Sequence, residues 1–180
     1  MTSSHAIGRM LVDPSLDPEK LIQSFLAGYY GPGAPYVEGY ITTFHKSVVA
    51  TKYYMIEDDP WTAPFLTPTA LLSSMIQLKK GAAAAGVAGT KYADRITVVM
   101  MAVQYVVLLR WTEVQTFATQ HKIEWPFAQS KPAEFASFNA TATKVHVTAV
   151  REWGGCGLVC FHAMVFPNKT ATLPETQTLP

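Results

Sequence analysis

The feature that most constrains this chain is FLAGYYGPGAPYVEGY, residues 25–40, where glycines and prolines crowd together between two segments of helical periodicity. Glycine lets backbones approach closely or take positive φ, and proline presets φ and ends a helix, so this stretch reads as a tight helix–helix corner. The flanking segments support that reading. Asp17 can cap free backbone amides, Pro18 suits the first helical position, and Glu19 suits the positive end of the dipole. Leu21, Ile22, Phe25 and Leu26 then share one face, with Gly28 or Gly31 and then Pro32 closing the helix. After the corner, Tyr36, Val37, Tyr40, Ile41, Phe44 and Val48 make the stripe of a second helix, from about Pro35 to Met55.

The rest of the chain continues in the same idiom. Pro60 and Pro64 mark residues 56–66 as a loop, and Thr67 with Pro68 starts a third helix through Leu71, Leu72, Met75, Ile76 and Leu78. A fourth helix, from about Tyr92 to His121, is apolar nearly all round in its middle, the pattern of a helix enclosed by others. Pro132 opens a fifth helix through Phe135 and Phe138. Alternation in VHVTAV and the apolar run GLVCFHAMVF suggest a short β element at the end. The expected fold is therefore mainly α: a bundle of about five helices, forming one domain over residues 1–166, with that β element and an extended tail over 167–180. Cys156 and Cys160, placed on a strand, would lie roughly 13 Å apart and beyond disulfide reach.

Composition narrows the function. Charged residues make up 15% of the chain against a usual value of about 25%, and hydrophobic residues 49%, so the surface is poorly solvating and suits burial against another domain or chain. The net charge of +1 and the lack of a basic run argue against nucleic acid. The longest apolar run, residues 96–109, is interrupted by Gln104 and bracketed by Arg95 and Arg110; it falls short of the roughly 20 residues a membrane span needs. Residues 1–18 contain no apolar core of a secretory signal. No histidine or cysteine spacing points to a metal, and no cofactor motif is present.

Three pieces in order, the segment VDPSLDPEKLIQSFLAGYYGPGAPYVEGYITTFH, the helix ending YVVLLRW with its IEWP turn, and the helix leading to VTAVRE, carry a resemblance. They resemble the helical domain of unknown function that follows the barrel in α-glucuronidase-like and hexosaminidase-like glycoside hydrolases, over about Ala6 to Glu152. Catalytic carboxylates of such barrels stand at the C-terminal ends of barrel strands, and none of those strands is in this sequence. The resemblance thus implies a non-catalytic module that packs on a barrel domain or partner chain, or helps wall a carbohydrate site. A structural or assembly subunit without a carbohydrate role is the alternative.

The residues agree that chemistry is scarce. Glu57, Asp58 and Asp59 form the only acidic cluster, in a loop where solvation is the simpler account, and Glu38 and Glu134 are expected to be exposed. Tyr29, Tyr30, Tyr36, Trp61, Trp111 and Trp125 could offer ring faces to a sugar, and Arg110 could pair bidentately with a uronic carboxylate. Core or interface packing is the preferred account of the same aromatics. The lack of a carboxylate pair predicts no turnover of aryl glucuronides or hexosaminides by the isolated chain; turnover abolished by substituting Glu57, Asp58 or Asp59 would contradict this.

Overall fold

The computed structural model describes residues 2–54, 60–87, 90–150 and 156–167. These form eight α-helices: α1 Thr2–Val12, α2 Pro18–Tyr30, α3 Ala34–Thr51, α4 Pro68–Ala84, α5 Lys91–Leu109, α6 Trp111–Gln120, α7 Lys131–Lys144 and α8 Leu158–Val165. A 3₁₀ turn, Gly31–Gly33, joins α2 to α3. The mainly helical class expected from the sequence is thus correct. Among the described residues there is no strand.

Helix starts are set by the predicted caps. Asp17 accepts from the amides of Glu19 (2.9 Å) and Lys20 (3.4 Å), and Thr67 accepts from Ala70 (3.2 Å), each just ahead of a proline. Thr90 and Ser130 cap α5 and α7 in the same way. The core is built on α4 and α5: Leu71, Leu72, Leu78, Ile96, Val107 and Leu108 are fully buried. α5 is the hub, packing against α2, α4, α6, α7 and α8, while α3 lies along α4 and α1 along α2.

The corner is the tightest point. Gly31 takes φ 55°, ψ −133° and returns its N–H to Ala27 O, ending α2. Tyr92 crosses over it, so a Cβ there would stand 2.8 Å from that ring. Gly33 lies against α4, where a Cβ would meet the carbonyl oxygen of Gly81 at 2.7 Å.

Several expectations need correction. The fourth helix is two, because Arg110 leaves the helical conformation (φ −112°, ψ 26°) while its N–H still closes onto Val106 and Val107. Its guanidinium is held by Leu66 O and by Glu113 in the first turn of α6, which fixes the break without glycine or proline. The apolar run near the C-terminus is helix α8, not a strand. Leu158, Phe161 and Val165 fall at helical spacing, with Phe161 and Val165 buried. The helical turn brings Cys156 and Cys160 to a Cα separation of 5.2 Å and they form a disulfide, correcting the strand-based separation. Glu134 is buried, not exposed: it accepts from Gln104 Nε2 (2.6 Å) and from the Ala128 amide (2.7 Å), which also gives a partner to the glutamine that interrupts α5. Glu38 is exposed as expected. Helix α1 was not anticipated; it buries Ala6 and leaves Ile7, Leu11 and Val12 exposed. The proposed tail beyond residue 167 lies outside the described residues.

Gly31→Ala should destabilise the fold by about 1 kcal/mol or more, since a Cβ is penalised at positive φ and here also meets Tyr92. Gly33→Ala should be at least as costly, although its φ of −81° is ordinary, because the obstacle is backbone. Denaturant midpoints of both variants measure this, and unchanged midpoints would contradict the corner geometry.

Candidate functional site

The residues singled out from the sequence divide into separate clusters. At the corner, Phe25 and Tyr29 stack with centroids 5.2 Å apart, and Tyr30 meets Tyr29 edge-on at 5.0 Å. Arg95 lies 3.9 Å over the Tyr29 ring and donates Nη1 to Tyr29 O at 2.8 Å. Tyr29 is half-buried and Tyr30 buried, so these rings serve each other and a guanidinium. Burial raises the Tyr30 phenol above its ordinary pKa, reinforced by Tyr29 and opposed by Arg95. Tyr36 is half-buried beside Gly81.

A second cluster joins Trp111, Trp125 and Phe127. Trp111 and Trp125 meet edge-on at 5.0 Å, Phe127 lies 5.0 Å from Trp125, and Trp125 Nε1 donates to Ala128 O at 3.0 Å. Trp111 is buried and its ring is a wall of the core. Arg110 spends its bidentate fork on Glu113 within the chain and gives Nη1 to Leu66 O. The hydrogen bonding from Arg110 to Glu113 is the main reason the Glu113 carboxyl lies below its ordinary pKa; partial desolvation opposes it and the Arg110 charge adds to it. Trp61, in the turns between Pro60 and Leu66, is the most exposed of the seven. The acidic cluster of residues 57–59 lies outside the described residues.

What sequence reasoning missed is an open face on α5. Asp94, Val98 and Ala102 lie four apart on one side of this helix, and Val98 (42%) and Ala102 are exposed. A groove of about 320 Å³ runs on one side of Ala102, lined by Tyr40, Ile41 and Phe44 of α3 with Phe65 and Leu66. A second, of about 340 Å³, lies on the other side, between Tyr105, Phe138, Val147 and Val150. A third hollow, of about 470 Å³, continues toward the helix start past Arg95, Thr141 and the Asp94–Lys144 ion pair (2.8 Å). By length and composition, α5 could cross a membrane, yet it packs on five neighbouring helices and 44% of its most apolar 18-residue stretch is buried. The expectation of a fully enclosed helix is therefore corrected. An apolar sequence all round the helix served two ends, core on one side and open groove on the other. Among the described residues no three His, Cys, Asp or Glu side chains gather as a metal site.

Compared with known proteins, the chain matches no family model, no curated protein and no solved structure.

Tyr40, in the first groove, also has its phenol raised, first by burial and then by Tyr30. A raised phenol keeps its proton in the folded state, so the stability it contributes is full below about pH 10 and is lost as pH climbs through the folded pKa. Thermal melts should show alkaline destabilisation that is flatter in Tyr30→Phe and Tyr40→Phe. Equal alkaline slopes in wild type and both variants would contradict it.

Proposed function

We propose that this chain is a non-catalytic helical module of a carbohydrate-active, α-glucuronidase-like system, docking onto a barrel domain through the open face of α5. The observation that carries the docking is that face: Val98 and Ala102 exposed at mid-helix, flanked by Ile41 (39%) and Val145 (37%), with apolar grooves on both sides. Contiguous exposed apolar surface of this kind marks interaction sites more often than isolated exposed residues do. The resemblance of FLAGYYGPGAPY and its flanking segments supplies the choice of a barrel as partner. Low charge supports the same reading, since α5 carries no charged residue between Arg95 and Arg110.

The aromatic residues first considered for sugar contact support the module's rigidity instead. Tyr30 and Trp111 are buried, and Tyr29 and Arg110 are engaged within the chain. Direct carbohydrate contact in this reading falls first to Trp61, the most exposed of the seven, whose loop also supplies Phe65 and Leu66 to the first groove.

Ala102→Glu places a charge at the centre of the face and, being at an exposed position, should change stability by only about 0.5 kcal/mol. Mixed with the barrel domain of an α-glucuronidase stripped of its own helical region, the native chain should co-sediment and Ala102→Glu should not. A native chain that stays monomeric beside the barrel, or an Ala102→Glu variant that binds equally well, would overturn the proposal.

A further inference from the structure

The disulfide joins two unlike sulfurs. Cys156 is buried, 6% exposed, with its Sγ 3.8 Å from Met164 Sδ, whereas Cys160 is exposed in the first turn of α8. Gly157 stands at the N-cap and no side chain caps the helix. Among the described residues no side chain accepts from the first-turn amides of α8 at its cap, and Cys160 occupies the third helical position, from which a capping-box side chain reaches back. A thiolate at a helix N-terminus is stabilised, while one buried among apolar groups is not.

The bridge is also dispensable for anchoring α8. Phe161 is fully buried, 4.9 Å from both Tyr105 and Phe138, and Lys131 Nζ donates to Val165 O at 2.7 Å. A ring closed across so few residues removes little chain entropy from the unfolded state. Opening it would leave the helix seated. It would free Cys156, whose carbonyl holds the Val150 amide at 2.8 Å beside the second groove.

We propose that Cys156–Cys160 is a reversible thiol–disulfide exchange site for small thiols, entered at Cys160. A thiolate attacks Cys160 Sγ because that sulfur is the one open to solvent, access outweighing the poorer leaving group that burial makes of Cys156; the bond between the two cysteines breaks, and Cys156 departs and takes a proton from water. A second thiolate then attacks the incoming sulfur and releases Cys160, whose thiolate the helix terminus stabilises. Two electrons pass from two small thiols to the bridge, and the thiols depart as their own disulfide. This inference does not depend on the docking of α5.

The test uses the folded, oxidised chain with reduced glutathione as the probe, quenched in acid and mapped by peptide mass. The expected product carries glutathione on Cys160 with Cys156 free, and dithiothreitol should then open the bridge completely without loss of helical circular dichroism. Cys156→Ser should leave Cys160 open to alkylation in the folded state, and Cys160→Ser should show loss of that reaction at Cys156. A bridge that resists both reagents until denaturant is added, or an adduct on Cys156, would overturn the proposal. So would unfolding on reduction.

Discussion

The architecture depends on one close approach: the backbone of the corner at Gly33 against the backbone of α4 at Gly81, with Ile96 of α5 beside both. Three helices meet there with no Cβ between two of them. Gly31 makes the approach reachable by turning the chain at positive φ, and Tyr92 then closes over it from the start of α5. From this point α3 is laid along α4 and α2 is brought against α5, so the corner orients the framework on which the remaining helices pack.

That framework makes α5 both a support and a surface. Its buried side carries Ile96, Val103, Val107 and Leu108, and its one interior polar residue, Gln104, is matched by Glu134 of α7. A buried carboxylate is tolerated only with such partners, and here each oxygen has one, Gln104 for Oε1 and the Ala128 amide for Oε2. The pair ties α7 to α5 at a single register. Among the described residues the opposite side of α5 has no such cover. Where soluble helices usually place charge, this one places Val98 and Ala102.

What the sequence made legible was local chemistry. Asp17 and Thr67 ahead of prolines marked the starts of α2 and α4, and Gly31-Pro32-Gly33 marked the corner, because each signal acts through its own neighbours. What stayed hidden depended on distant partners. The break at Arg110 is held by Leu66, 44 residues earlier, and Glu134 is buried because Gln104, 30 residues earlier, meets it. Helix α8 was misread because a short apolar run fits both a buried strand and a helix, and with it went the spacing of Cys156 and Cys160. For the candidate site, the identities of the aromatics were plain, but their engagement with one another was not. The open face was invisible because apolar residues look alike whether covered or not.

The central claim is that α5 is enclosed on one side and open on the other, and adjacent residues can test it. Ala102 is exposed and Val103 is 1% exposed. With a cysteine introduced singly at each position in the oxidised chain, the rate of alkylation under native conditions reads that boundary directly. The account predicts rapid labelling at Ala102→Cys and protection at Val103→Cys until the chain is unfolded; equal protection at both positions would show an enclosed helix and contradict it.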